Sequence, residues 1–169
     1  MAAGEYSVEH ARSDDLQGIL DILNHYILGD HCTFDTKPWT VKQKQQWFDG
    51  FDPDGPYRLI VARHGANVLG YTSSTRWRPK KAYEVTAETT VYVHPEHLGK
   101  GLGRQLLGHL LDHLAESGLH SVVAGVAQPN AVSNHLHELM GFEVIGTYRE
   151  VGFKFERYWD VTWYQKRFN

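Results

Sequence analysis

Three glycines at alternate positions separate a predicted strand from a predicted helix near the middle of the chain. Residues 91–111 read VYVHPEHLGKGLGRQLLGHLL, and Pro95 ends the β-rich run because proline removes a donor from the sheet ladder. Gly99, Gly101 and Gly103 follow, and leucines at helical spacing come next. The free N–H groups and the dipole at a helix start attract anions, and glycine lets phosphate oxygens approach the backbone. The segment predicts a phosphate-binding loop, with a plain glycine-rich turn as the alternative.

Two common nucleotide motifs do not fit this loop. A Walker A sequence requires Ser or Thr after the Gly-Lys pair, and Gly101 follows Lys100 here. A dinucleotide fingerprint requires a third glycine where this chain has Arg104. A different phosphate-containing ligand must therefore be considered.

The order of predicted elements indicates a mixed α/β (α+β) fold. Helices come first, with Ser13 and Thr40 as expected N-caps, a meander of strands follows, and a strand–helix–strand–helix core comes next. The 169 residues are 41% hydrophobic and 12% aromatic, enough for one substantial core. We expect a single domain over residues 1–169.

Charge and cysteine content exclude several classes of partner and compartment. The net charge of -3 gives no general attraction to nucleic acid or to anionic membranes. Cys32 is the only cysteine, which suits a reducing compartment, and no apolar run reaches the roughly 20 residues that span a bilayer. The N-terminal residues lack the basic and apolar segments of a secretion signal. We expect a cytoplasmic protein that binds neither nucleic acid nor membrane.

A second informative stretch, QPNAVSNHLHELMGF, predicts a helix that ends at Gly141. One face of this helix is apolar and is expected to be buried: Val132, Leu136, Leu139 and Met140. The other is polar: Asn130, Ser133, Asn134 and His137. A solvated stripe and a functional face both fit this polar pattern.

The glycine loop and this helix together resemble the GCN5-related N-acetyltransferases (GNAT). The family's coenzyme A loop, [QR]-x-x-G-x-[GA], is matched from Leu98 to Gly103, although Leu98 departs from the first position. LHELMGF is similar to the family's LYEKLGF-like run, with His137 in the position of the tyrosine that protonates the departing thiolate. The resemblance implies acetyl-CoA as the cofactor and His137 as a catalytic residue, because histidine can transfer protons at neutral pH.

The resemblance narrows to the phosphinothricin and methionine sulfoximine acetyltransferase branch. It is carried by NHYI with TFDT, by AYEVTAETTVYVHPEHLGKGLG, by QPNAVSNHLHELMGF and by VGFKFERYWDV, which together span nearly the whole chain. It implies the GNAT fold, a mixed central sheet splayed in its middle with helices on both faces, usually in a homodimer. The implied activity is transfer of an acetyl group to the amine of a small amino-acid-like substrate.

N-acetylation needs a base for the incoming ammonium, and Glu88 is the candidate. On an alternating strand Glu88, Thr90 and Tyr92 share one face, and burial would raise the pKa of the carboxyl toward a useful value. An ion-paired structural carboxylate fits the same pattern. The branch has a glutamate at this position, which favours the base, although His137 could share that role.

The resemblance also assigns residues to the cofactor. The thioester carbonyl is expected at the backbone N–H of Val93, where the family's sheet splays, and the pyrophosphate at the amides after Leu98. The cofactor-binding set is Val91, Tyr92, Val93, Gly99, Lys100, Gly101, Leu102, Gly103, Arg104, Asn130, Ser133 and Asn134.

The acceptor is expected to be a small zwitterion with a second polar group. Arg78 follows Trp77 in a basic segment that the branch shares, and arginine can bind a carboxylate with two parallel hydrogen bonds. An exposed basic loop is the alternative. The substrate-binding candidates are Phe34, Trp77, Arg78, Tyr83, Phe153 and Lys154.

The eleven histidines do not predict a metal site. His109 and His113 lie one turn apart, and His135 and His137 two residues apart, but neither pair brings a third ligand. No H-E-x-x-H is present.

Two further functions remain open: a protein or peptide acetyltransferase, which requires an open groove, and a non-catalytic acyl-CoA sensor, which requires neither Glu88 nor His137.

Overall fold

In the part of the chain that the structure describes, the strands join in one mixed sheet in the order β1-β2-β3-β4-β5-β7-β6, with four α-helices packed around it. The computed structural model describes residues 6–168. The elements are β1 (Ser7–His10), α1 (Leu16–Gly29), α2 (Val41–Asp49), β2 (Leu59–His64), β3 (Asn67–Arg76), β4 (Thr86–Val93), α3 (Leu102–Ala115), β5 (Ser121–Ala127), α4 (Ala131–Leu139), β6 (Glu143–Lys154) and β7 (Arg157–Arg167). The expected strand and helix order is confirmed.

The sheet opens between β4 and β5. In these parallel strands only Thr86–Glu88 and Ser121–Val123 pair, whereas β4 pairs with β3 from Ala87 to Val93. β5 continues beyond this point in antiparallel pairing with β7, from Ser121 to Ala127. The predicted splay of the central sheet is therefore confirmed, and it begins directly after Glu88.

Two apolar cores cover the two faces of the sheet. The stripe Leu106, Leu107, Leu110 and Leu114 of α3 is fully buried against one face, and the helical spacing of these leucines explains why α3 forms there. The other face is covered by α1 through Ile19, Leu20, Ile22 and Ile27. The tight packing fixes the position of α3 and thus of the glycine loop before it.

One of the two predicted helix N-caps is confirmed. Thr40 caps α2, and its Oγ1 accepts a hydrogen bond from the Gln43 N–H at 3.4 Å. The expectation that Ser13 caps α1 is wrong, because Ser13 lies within a 3₁₀ turn that precedes the helix. Asp15 closes that turn instead, since its carboxylate accepts the Arg12 N–H at 2.7 Å.

The buried face of α4 also differs from the expectation. Val132 is 79% exposed and Leu139 is 50% exposed, whereas Leu136 and Met140 pack against the core. The inward face has helical i, i+3, i+4, i+7 spacing and consists of Ser133, Leu136, His137 and Met140. The polarity of Ser133 and His137 concealed this face, because their hydrogen bonds form within the helix.

We predict that Leu110→Ala lowers the free energy of unfolding by about 3 kcal/mol, since it leaves a cavity in a fully buried site. Leu139→Ala on the exposed side of α4 is the control, with an expected loss below about 1 kcal/mol. Urea unfolding followed by circular dichroism measures both. Equal losses would contradict the assignment of the core.

Candidate active site

A cavity of about 460 Å³ lies where β4 and β5 separate. Its floor comes from the two diverging strands, and its walls come from the α1–α2 loop and the β6–β7 hairpin. The lining residues are Cys32, Phe34, Arg78, Glu88, Gly125, Ala127, Tyr148, Val151, Val161 and Trp163. The cavity therefore joins segments that are far apart in sequence.

Glu88 is the last residue of β4 that pairs with β5, and it lines this cavity. The predicted alternation is confirmed: Tyr92 packs toward the α1 core, and Val91 and Val93 pack toward the α3 core. Burial raises the pKa of the Glu88 carboxyl above its ordinary value, and the positive charge of Arg78 acts in the opposite direction. A carboxylate in this setting can accept a proton near neutral pH.

Arg78 is the residue of the basic segment that lines the cavity. Its guanidinium lies 5.2 Å from the centre of the Trp77 ring. Arg76 is held elsewhere, by a hydrogen bond to the Pro79 carbonyl at 2.7 Å and by Glu84 at 3.3 Å. Arg78 and Glu88 thus give the cavity one positive and one negative group.

The backbone of Val93 points into the opening between β4 and β5. The His94 N–H donates to the Leu69 carbonyl at 2.8 Å, which fixes the alternation of the β3–β4 ladder and directs the Val93 N–H and C=O away from β3. The Tyr26 hydroxyl of α1 donates a hydrogen bond to the Val93 carbonyl at 2.6 Å. On the β5 side of β4, no strand of residues 6–168 pairs beyond Glu88, so the Val93 amide faces the gap.

The glycine loop leads directly into α3. Gly99 and Gly101 have φ angles of 72° and 78°, which favour glycine, and a Cβ at either position would meet no atom within 4 Å. Gly103 lies inside the helix, where an added Cβ would be 3.5 Å from Leu136 and 3.6 Å from Val93. The loop therefore presents an open helix N-terminus, which is more than a simple turn requires.

The residues at the start of α4 hold the helix itself. Asn130 is its N-cap, and its Oδ1 accepts the Ser133 N–H at 3.0 Å. The Asn134 side chain exchanges two hydrogen bonds with Gln128, at 2.8 and 2.9 Å. The Asn134 side-chain amide is therefore hydrogen-bonded within the protein through both its oxygen and its nitrogen. The cap formed by Asn130 uses only the side-chain oxygen, and this fixes the direction of the Asn130 amide nitrogen.

His137 is 4% exposed and lies between the rings of Phe142 and Tyr164. Its Nδ1 is 2.7 Å from the Ser133 carbonyl, and because a carbonyl only accepts, Nδ1 carries the proton. Burial lowers the pKa of the imidazole, so the neutral form with a lone pair on Nε2 is favoured. This tautomer suits Nε2 to accept a proton, and it does not suit the expected donation to a thiolate.

Four of the six substrate-binding candidates do not line the cavity. Trp77 and Tyr83 pack edge to face with each other at 5.1 Å, and Phe153 is exposed beside Tyr158. Lys154 is buried, and its ammonium binds backbone carbonyls of the α1–α2 loop. Phe34 and Arg78 do line the cavity.

The sequence did not indicate that β5 lines the cavity, and in the hairpin it pointed to Phe153 and Lys154, which do not line it. Gly125 and Ala127 of β5 stand opposite Trp163 and Val161 of β7, so small residues on one strand accommodate large ones on the next. An added Cβ at Gly125 would be 3.2 Å from the Trp163 ring. The alternation of Gly125 and Ala127 is a signal that could have indicated this face, whereas Tyr148 and Val151 carry no such signal.

Residues 6–168 contain no candidate membrane-spanning helix and no candidate metal cluster. Helices long and apolar enough to span a membrane do not occur in residues 6–168. Across the same residues, no three His, Cys, Asp or Glu side chains are grouped in a way that could hold a metal ion. The absence of a bound metal stays a prediction.

The splayed sheet, the glycine loop and the acid-containing cavity define an α/β domain of the acyl-transfer class. A family model described as the acetyltransferase (GNAT) family matches residues 21–142 of this chain. The chain belongs to the GNAT family of acetyltransferases.

The individual relatives cover nearly the whole chain. Phosphinothricin N-acetyltransferase of Streptomyces coelicolor is 46% identical over 96% of this chain and 96% of its own length. An L-methionine sulfoximine/L-methionine sulfone acetyltransferase of Pseudomonas aeruginosa is 39% identical over 94% of this chain and 92% of its own. A Salmonella typhimurium protein solved with its cofactor acetyl-CoA superposes with a TM-score of 0.93 at 34% identity, covering 98% of this chain and 95% of that one.

We predict that His137 is neutral at pH 7 with its proton on Nδ1. Its lowered pKa means that the unfolded chain binds a proton that the folded protein does not, so His137 reduces stability as the pH falls below its ordinary value near 6.5. Nitrogen-15 NMR of the imidazole measures both tautomer and titration. A proton on Nε2, or a charged ring at pH 7, would contradict the assignment.

Proposed function

We propose that this protein transfers the acetyl group of acetyl-CoA to the α-amine of a small amino-acid-like substrate. The observation that carries the proposal is that Glu88 and Arg78 line the cavity where β4 and β5 separate, with the Val93 amide further along the same gap. Glu88 would take the proton of the amine, and Arg78 would bind the carboxylate of the same substrate.

The cofactor is assigned to the edge of the same opening. Its pyrophosphate would lie against the amides of the open loop at Gly99–Arg104, and its pantetheine arm would enter the gap between β4 and β5. The thioester carbonyl would accept a hydrogen bond from the Val93 N–H, which would stabilise the oxygen as it becomes negative. The remaining members of the cofactor set, from Val91 to Asn134, are proposed on the family pattern.

In the proposed reaction a C–N bond forms to the amine and the C–S bond of the thioester breaks. One proton of the ammonium passes to Glu88 before attack, and the proton that the nitrogen loses as the C–N bond forms reaches the leaving coenzyme A thiolate through water in the open gap. His137 is proposed as a hydrogen-bond acceptor through Nε2, because its neutral tautomer holds the only ring proton on Nδ1.

The size and chemistry of the cavity support an amino-acid acceptor. A volume of about 460 Å³ lies in the range of small-molecule sites, and its walls are mainly apolar with one group of each charge. Relatives are named for phosphinothricin and for methionine sulfoximine or sulfone, which are compact amino acids with a polar head. A single domain and a cytoplasmic location, expected from the sequence, are kept as part of this proposal.

Thiol release from acetyl-CoA with a panel of acceptors tests the proposal. We expect release with methionine sulfone or phosphinothricin and none with peptides bearing free amines. Release with peptides only would favour a protein acetyltransferase. Tight acetyl-CoA binding without turnover on any acceptor would favour a sensor.

We predict that Glu88→Gln reduces turnover by about 100-fold near neutral pH and leaves acetyl-CoA affinity within about twofold. In the parent protein kcat/KM should rise with pH through the raised pKa of Glu88, because the base acts when ionised. The variant should lose this rising limb. Initial rates from pH 5 to 9 and calorimetric titration with acetyl-CoA measure the two effects, and unchanged turnover would remove Glu88 as the base.

We predict that Gly101→Ala weakens acetyl-CoA binding by about tenfold, because a side chain at a φ of 78° strains the loop that presents the amides. Gly146→Ala is the matched control, since Gly146 lies in open space and has no positive φ. Calorimetry measures the affinity of each variant. An affinity of Gly101→Ala equal to that of the control would contradict a phosphate role for the loop.

We further propose that the protein forms a homodimer through the β6–β7 hairpin. Seven large apolar side chains of this hairpin are each at least 50% exposed: Val144, Ile145, Tyr148, Val151, Phe153, Phe155 and Tyr158. An apolar surface of this extent favours burial against a partner. Because Tyr148 and Val151 also line the cavity, a second copy would border the site.

We predict that Ile145→Asp converts a dimer to a monomer, since a charge would be buried at the interface. Leu28→Asp is the control, because Leu28 is equally exposed on α1 and lies outside the hairpin. Light scattering after size exclusion measures the mass of each. A monomeric parent protein would disprove the dimer.

A further inference from the structure

One wall of the cavity is a loop whose position depends on another part of the chain. Residues 30–35 connect α1 to the segment before α2 and contribute Cys32 and Phe34 to the cavity. These residues contain no helix or strand that would hold them in place. Contacts with the β6–β7 hairpin hold them, beside a hydrogen bond from the Trp39 indole to Asp35 at 2.9 Å and one between His31 Nε2 and the Pro129 carbonyl at 3.0 Å.

Lys154 makes the polar part of this attachment. It is the last residue of β6 and is 4% exposed, and its Nζ donates hydrogen bonds to the Asp30 carbonyl at 2.6 Å and to the Thr33 carbonyl at 2.8 Å. A buried ammonium needs such acceptors, and here both belong to the loop. Lys154 therefore ties the two ends of the Asp30–Thr33 turn to the hairpin.

Gly152 and Trp159 make the apolar part. The Phe34 ring lies directly over Gly152, where an added Cβ would overlap it and be only 2.7 Å from Cε1. The His31 ring stacks on Trp159 at 4.1 Å with an angle of 9° between the planes. Because the Phe34 ring occupies the place of a side chain at residue 152, the hairpin decides how far this ring reaches into the cavity.

We infer that Lys154 and Gly152 are positioning residues that set the acceptor specificity of the enzyme through Phe34. They hold the α1–α2 loop on the hairpin, and Phe34 then limits the size of the acceptor side chain. Lys154 thus acts on the loop and does not bind the substrate directly, although the sequence had suggested that it does. The inference rests on the proposed N-acetylation of amino acids. The acceptors concerned are amino acids whose side chains extend toward the Phe34 wall.

Gly152→Ala tests the apolar part, with Gly146→Ala as a matched control on the same strand. The new methyl group should displace the Phe34 ring toward the cavity, whereas an added Cβ at Gly146 meets no atom within 4 Å. We expect the KM for methionine sulfone to rise about tenfold in Gly152→Ala, with the KM for acetyl-CoA unchanged. A smaller effect is expected for glycine-sized acceptors. Identical kinetics in both alanine variants would overturn the inference.

Lys154→Met tests the polar part through the reactivity of Cys32, which does not depend on catalysis. Burial, followed by the charge of Asp30, raises the pKa of the Cys32 thiol to about 12, so alkylation of the folded protein should be slow. The positive charge of Lys154 acts to lower that pKa. Loss of the charge alone would therefore slow alkylation, whereas release of the loop would accelerate it.

We expect Lys154→Met to alkylate roughly fivefold faster with iodoacetamide at pH 8, because the loop opens locally. Lys42→Met, which removes an exposed lysine from α2, should match the parent protein. An unchanged or slower rate in Lys154→Met would overturn the loop attachment. Thermal unfolding of each variant shows that the comparison is made on folded protein.

The two experiments also separate this inference from the proposed function. Absence of turnover by the parent protein on every amino-acid acceptor would overturn the N-acetylation and with it the specificity role. The alkylation rates would still decide whether Lys154 holds the loop.

Discussion

The separation of β4 from β5 after Glu88 is the constraint on which the site depends. A sheet that stayed paired would satisfy the amides of Val91 and Val93 with β5 and would leave no space beside Glu88. Because the strands diverge, the Val93 amide faces a gap and its carbonyl is satisfied from α1 by Tyr26. An unpaired backbone donor is costly in an apolar interior, so a ligand that supplies an acceptor gains binding energy there. One break in the ladder thus provides both the cavity and the hydrogen-bond donor.

The charges at this break are balanced for proton transfer. Burial at the edge of the core raises the pKa of Glu88, and Arg78 in the same cavity lowers it. Without Arg78 the pKa of Glu88 would be raised further, whereas a glutamate in contact with solvent would keep its ordinary pKa and be a weaker base. Arg78 lies on the connection after β3, so its position depends on the strand that pairs with Glu88, through Thr75. The connection after β3, the antiparallel partner of β4, therefore carries the arginine that lowers the pKa of Glu88.

The local signals in the sequence were sufficient for the fold and for the local geometry of several segments. The glycine loop, the Thr40 cap and the alternation around Glu88 depend on nearby residues, and the structure confirms each of them. The prediction of the buried face of α4 was wrong because Ser133 and His137 form their hydrogen bonds within the helix, so these polar residues can be buried. Tyr148 and Trp163 were not predicted to line the cavity, and Lys154 was predicted to bind the substrate, because their contacts depend on strand register and on segments as distant as Asp30 is from Lys154. Periodicity predicts which face a residue occupies, and it does not predict which distant segment meets that face.

The β6–β7 hairpin links features that the sequence kept apart. Its inner residues line the cavity and hold the α1–α2 loop, and its outer residues form the exposed apolar surface. Tyr148 and Val151 belong to both groups, so a partner that covers the outer surface also limits the access of water to the cavity. Less water would strengthen the attraction between Arg78 and a bound carboxylate and would raise the pKa of Glu88 further. Assembly through this hairpin would therefore act on the same two charges that the sheet opening brings together.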